Sequence, residues 1–144
     1  MLTIDANVFV SASSIRDIFH SESDKFLFHV RQMGMFLYCP TLLLPEIASA
    51  IVRPTANFEA AEMTVASTKT FPGLTLANLT EQRAEAATQS ALTTRLRGAD
   101  SIYMQVAQEF GTTLITWDRE MLTRGLSAVS IMTPTEWLAA NAIS

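Results

Sequence analysis

Cysteine is almost absent from this chain: Cys39 stands alone. A single thiol makes no internal disulfide and builds no multi-thiolate zinc site, and a reducing compartment is the natural expectation. Histidine is nearly as scarce. His20 and His29 are the only two, and their spacing fits no helical metal pair. Lysine occurs only as Lys25 and Lys69. Basic excess is missing altogether: fourteen Asp and Glu against ten Lys and Arg give a net charge of −4, with a pI near 5.1. That excludes a protein that holds nucleic acid by bulk positive charge. It does not exclude one that cuts nucleic acid with the help of metal ions. No run approaches the roughly eighteen apolar residues needed to span a bilayer, so no membrane role is expected. The opening Met1-Leu2-Thr3-Ile4-Asp5 lacks the basic start and long apolar run of a secretion signal, and the expected setting is cytoplasmic.

What is present is apolar. Hydrophobic residues make up 49% of the 144 and charged residues 17%, which excludes disorder and fits one domain over residues 1–144. Leu2 to Ile4 reads as a buried strand, ended by the polar break Asp5-Ala6-Asn7. Phe26, Val30 and Met33 fall at helical spacing, so a helix is expected over residues 22–33 with Gly34 stopping it. A second strand is expected from Met35 to Cys39, closed by Pro40. Thr41 would cap a helix over residues 42–52, ended by Pro54. Residues 55–69 read as a helix, Pro72-Gly73 as a turn and Leu74 to Leu76 as a short strand. Thr80 would cap a helix to about Thr93. Gly98 precedes an amphipathic helix ending at Gly111. Thr112 to Thr116 reads as a strand, residues 119–124 as a short helix, residues 128–132 as a last strand and residues 134–140 as a last helix.

The alternation of strands and helices implies a parallel sheet with helices on both faces. In such folds sites form beyond the carboxyl ends of the strands. Asp5 ends the first strand and Asp118 lies just past the Thr112–Thr116 strand. Asp100 sits in the first turn after Gly98, and Glu46 in the first turns after the second strand. Each has a plainer reading: Asp100 as a complement to its helix dipole, Asp118 as an N-cap, Glu46 as an exposed helical residue. Joint placement at one sheet edge favours a site. Clustered carboxylates repel, and a fold keeps such a cluster mainly when a cation neutralises it. An all-oxygen set selects Mg²⁺ or Mn²⁺.

The motifs around these acids resemble a known family. Ile4-Asp5-Ala6-Asn7-Val8-Phe9 resembles the first motif of PIN domains, and Leu44-Pro45-Glu46-Ile47-Ala48 the segment bearing their second acid. Gly98-Ala99-Asp100-Ser101-Ile102-Tyr103 resembles the third, and Ile115-Thr116-Trp117-Asp118 the last. Four fragments in order span nearly the whole chain. The resemblance implies a Rossmann-like α/β/α sandwich with a central parallel sheet and a metal-dependent endoribonuclease. Asp5, Glu46, Asp100 and Asp118 would then bind Mg²⁺ or Mn²⁺ and carry catalysis, with Asn7 and Thr116 in support. Single-domain members of this size are often VapC-type toxins that dimerise and pair with a small antitoxin, although stand-alone PIN nucleases share the motifs.

Two alternatives follow from the same residues. A phosphatase of the haloacid dehalogenase type would use Asp5 as nucleophile. That chemistry wants a second Asp where Asn7 stands and a basic residue that the motifs lack. A catalytically silent PIN-like binding module has no reason to keep four costly acids. Arg95, Arg97 and Arg119 adjoin the acidic motifs and are the candidate RNA contacts. Ser11, Ser13 and Ser14 read as caps of the next segment. Cys39 reads as core, and Phe26, Phe28, Phe36 and Phe58, with the methionines, as core or a partner groove.

Overall fold

The computed structural model describes residues 1–143. Among these, five strands and eight helices follow in chain order. They are β1 (Leu2–Ile4), α1 (Ala6–Ser13), α2 (His20–Gln32), β2 (Leu37–Pro40), α3 (Leu43–Thr55), α4 (Phe58–Lys69) and β3 (Leu74–Ala77). Then come α5 (Glu81–Thr94), α6 (Gly98–Phe110), β4 (Thr113–Ile115), α7 (Arg119–Arg124), β5 (Ile131–Met132) and α8 (Pro134–Ala140). No helix among the described residues is long and apolar enough to cross a membrane.

The sheet is parallel throughout, in the order β3-β2-β1-β4-β5. The chain winds outward from β1 through β2 to β3, then returns to the other side of β1 and places β4 there. Ile4 pairs with Ile115 at the carboxyl ends of β1 and β4. Between these two neighbours the winding reverses, and such a reversal opens a crevice beyond the strand ends. β1 is buried along its whole length, as a central parallel strand must be.

Seven of the helices form two packed groups, and α7 packs on β5. α6 lies on β1, β2 and β4 and carries α5. The other group is α1 to α4, with α8 packed on α2 and β5. Phe26 is fully buried with its ring edge-on to Trp137, which joins α2 to α8. Burial of a side chain of that size stabilises by about 2–3 kcal/mol. Cys39 is buried in β2 and its thiol is pushed up to about 12 by burial, so it is an inert core residue. Phe28, Phe36 and Phe58 do not join this core. They stay more than half exposed, and Phe28 lines a surface groove with Phe9, Met63 and Phe71.

Several sequence expectations need correction. The polar break after Asp5 is in fact the start of α1: Asn7 spends its side chain on Asp5 and on the remote Thr116 and Trp117, not on a turn. Ser11 and Ser13 return their hydroxyls to the Val8 and Val10 carbonyls of the same helix, and α2 begins after Phe19 without a side-chain cap. Thr41 does not cap α3; Leu42 holds that position, and Pro54 sits inside the last turn instead of beyond it. The strand bounds also shift: β2 runs from Leu37 and takes in Pro40, and β5 starts only at Ile131. Thr80 acts as read, accepting from the Arg83 N–H, and the structure adds a full capping box of Thr133 with Glu136 at the start of α8.

Candidate active site

Asp5, Glu46, Asp100 and Asp118 line one open cleft of about 1200 Å³ beyond the carboxyl ends of β1 and β4. Each arrives by a different route. Asp5 leaves β1 with its N–H bonded to the Ile115 carbonyl, which fixes it at the edge of the β1–β4 pair. It occupies the N-cap position of α1, yet its carboxylate caps nothing there. Instead Oδ2 accepts from the Thr116 hydroxyl at 2.6 Å and from Asn7 Nδ2 at 2.8 Å. Asn7 Oδ1 in turn accepts from the Trp117 N–H, and Thr116 Oγ1 from the Asp118 N–H. Asn7 and Thr116 thus tie the start of α1 to the segment after β4 and aim the Asp5 carboxylate between them.

Asp118 does act as the N-cap of α7: Oδ1 accepts from the Glu120 and Met121 N–H groups. Its Oδ2 remains turned to the cleft, where it meets Arg97 Nη2 at 3.0 Å. The capping reading and the site reading therefore hold together, one oxygen for each. Asp100, 8% exposed, bonds Arg97 Nε at 2.9 Å. Glu46 accepts from the Tyr103 hydroxyl at 2.7 Å. Tyr103 is a site residue that its sequence context assigns only to an apolar helix face. A signal for it exists all the same: a buried Tyr needs a partner for its hydroxyl, and Tyr103 lies one turn past Asp100.

The electrostatics are those of a crowded acidic site. Burial drives the Asp5 carboxyl up from 3.8 to about 7; Thr116 opposes this, while the charges of Glu46 and Asp100 add to it. Glu46 is also raised, chiefly by burial, with Tyr103 opposing and Asp100 adding. Asp100 is raised by burial against the pull of Arg97. Buried carboxylates that push one another's titration upward lack a counter-charge. Arg97 supplies part of one by spanning Asp100 and Asp118. Its side chain is 71% exposed, so the bridge contributes little to stability.

The donor chemistry fits a hard divalent cation: four carboxylates, no sulfur, no imidazole. The present arrangement is looser than a closed ion cage. Among the described residues no group of three His, Cys, Asp or Glu side chains is already disposed to hold an ion. Arg97 holds Asp100 and Asp118, and Tyr103 holds Glu46. Of the candidate RNA contacts, Arg97 lines the cleft, while Arg95 and Arg119 do not. Arg95 takes the left-handed C-cap position of α5 and is exposed outside the cleft. Arg53 carries no motif signal in the sequence and lines the cleft from α3, the helix that also bears Glu46.

No protein-family model matches this sequence, and no curated protein sequence matches it. Solved structures do match. VapC20 from Mycobacterium tuberculosis, described as a sarcin-ricin loop cleaving toxin, superposes with a TM-score of 0.73 over 90% of this chain and 99% of that one, at 13% identity. PAE2754 from Pyrobaculum aerophilum gives 0.71 over 99% and 90%, at 18% identity. VapBC2 from Rickettsia felis, solved bound to a fragment of its promoter DNA, gives 0.70 over 92% and 97%, at 10% identity. The chain therefore has the PIN-like α/β/α fold of VapC toxins. The sandwich expected from the sequence is the one observed.

Proposed function

We propose that this protein is a metal-dependent endoribonuclease, the toxin of a toxin–antitoxin pair. The observation that carries the reading is the convergence of Asp5, Glu46, Asp100 and Asp118 on the crevice where the sheet winding reverses, with Asp5 buried and held by Thr116 and Asn7. The fold similarity to VapC20 and VapBC2 supports it. These four carboxylates would hold Mg²⁺ or Mn²⁺. When bound, such an ion supplies a Lewis acid that makes water a better nucleophile and balances charge on the phosphate.

The chain's own residues supply the rest. Thr116 and Asn7 fix the orientation of the Asp5 carboxylate, and Tyr103 fixes that of Glu46. The backbone amides at the start of α7 hold one oxygen of Asp118 and leave the other for the cleft. One of the carboxylates, or a water they hold, accepts the proton of the attacking water. Arg97 and Arg53 stand in the same cleft to meet backbone phosphates. A small antitoxin and a second copy of the chain are the proposed protein partners. Ile15 and Ile18, each more than 80% exposed, fit a chain that spends time against a partner.

The test is substitution at the buried acids. Asp5→Asn and Asp100→Asn each lower Mg²⁺- or Mn²⁺-dependent cleavage of RNA by at least about a hundredfold, while circular dichroism reports an unchanged fold. Wild-type cleavage by both variants ends the proposal. A silent binding module is the second reading, favoured by the Arg97 bridge across Asp100 and Asp118. Calorimetric titration with Mn²⁺ separates the two: a module neither binds the ion nor cuts RNA.

A further inference from the structure

Two aromatic rings stand in the same cleft as the acids without a role in holding them. Phe19 ends the loop between α1 and α2, and Trp117 lies between Thr116 and Asp118. Their rings stack, with centroids 4.1 Å apart and planes 9° from parallel. Both are only partly buried, and both line the cleft. Trp117 is pinned from three directions. Its N–H donates to Asn7, its indole Nε1–H donates to Ser23 Oγ at 2.8 Å, and its face rests on Phe19. Ser23 is itself fixed by Ser11. The ring is therefore held rigid one residue from Asp118.

We infer that the Phe19–Trp117 pair is a stacking seat for one nucleobase of a single-stranded RNA, beside the phosphate that the carboxylates address. A flat, immobile aromatic wall costs no ordering entropy when a base meets it, and every base has a face to offer. Cations needed for the flanking phosphates line the same cleft in Arg97 and Arg53. Paired bases of a duplex keep their faces covered, so the seat selects unpaired or extruded nucleotides. The inference rests on the nuclease reading and adds to it the residues that seat a base beside the cut.

The structure also supplies a means to read the seat. The chain has two tryptophans, and Trp137 is buried in the core against Phe26. Emission from the cleft thus reports on Trp117. Wild-type protein in EDTA is titrated with a short single-stranded RNA and with an oligomer of equal length and charge built from abasic residues. The RNA quenches the emission and binds at least about tenfold more tightly than the abasic oligomer. The Trp117 variants lack the reporting ring, so their binding is followed by the anisotropy of the same oligomers carrying a terminal dye: Trp117→Ala removes that advantage and leaves abasic binding unchanged. Trp117→Phe retains most of it, and Phe19→Leu loses several-fold. Should Trp117→Ala melt the α1–α2 loop, the Phe and Leu variants still test the seat.

Equal binding of RNA and abasic oligomer by the wild type overturns the seat, as does RNA binding by Trp117→Ala and Phe19→Leu at wild-type strength. If the wild type still cuts RNA in that case, the stacking inference alone has failed. If it neither binds nor cuts RNA, the nuclease reading has failed with it.

Discussion

Asp5 shows what a single residue is asked to do. It lies at the end of a buried strand, at the N-cap of a helix, and forgoes the capping bond that would satisfy that helix start. Its carboxylate is kept for the cleft, with its titration raised to about 7. Arg97 is the complementary case: an exposed base at the N-cap of α6 whose two nitrogens bridge Asp100 and Asp118. An arm so placed competes with any other cation for the same oxygens. Arg97→Gln is therefore expected to tighten Mn²⁺ binding several-fold in a calorimetric titration and to weaken RNA binding, two changes of opposite sign. Weaker binding of both would show that Arg97 shapes the site instead of competing for it.

The elements place these residues through a few fixed junctions. The loop into β3 is one. Gly73 has φ +79°, and a Cβ there would stand 2.5 Å from the Met35 carbonyl oxygen, while its own carbonyl accepts from Leu37 N–H. The β2–β3 pair cannot close in register around a side chain at that point. Gly73→Ala is expected to lower stability by roughly 2 kcal/mol or more, measured by urea denaturation, through both left-handed strain and the clash. An unchanged midpoint would mean that the loop relaxes freely. The N-terminus of α7 is another junction, because its first amides anchor Asp118. α5 and α6 are locked by the bidentate Arg83–Glu109 pair, and Tyr38 of β2 stacks on Phe110 at the end of α6. Together these contacts set the frame that carries Asp100 and Tyr103.

Over the whole molecule the charge becomes intelligible. Setting aside Asp5, Glu46, Asp100 and Asp118 leaves ten acids against ten bases, so the excess negative charge equals that of the cleft. The consequence is a pH dependence of stability. Between about 3.8 and 7 the folded chain keeps the Asp5 proton that the unfolded chain has released. Stability conferred by that proton is complete below the lower value and is lost as the pH climbs to the upper one. Glu46 and Asp100 are shifted the same way. Glu109 is held down by Arg83, so its contribution is lost only under acid. In EDTA the melting temperature is expected to fall by several degrees from pH 5 to pH 8. Excess Mn²⁺ should reduce that fall, because an ion that binds the ionised cleft stabilises the folded state. A melting temperature that rises over this range in EDTA would contradict the raised Asp5.

The sequence alone determined the parallel α/β alternation, most helix ends and the four acids, because each of these is written locally. Hydrophobic periodicity, a Thr or Gly at a boundary and an acid after an apolar run are all read within a few residues. The start of α1 escapes such a reading for a related reason: Asn7 looks like a turn residue until its partners Asp5, Thr116 and Trp117 are known, and two of those lie more than a hundred residues away. Tyr103 as the holder of Glu46, Arg97 as the bridge, Arg53 in the cleft and the Phe19–Trp117 stack belong to the same kind. They arise where the winding of the sheet reverses and brings distant strand ends together. Only the tertiary structure decides which side chains meet there, since no local pattern encodes a contact across that crevice.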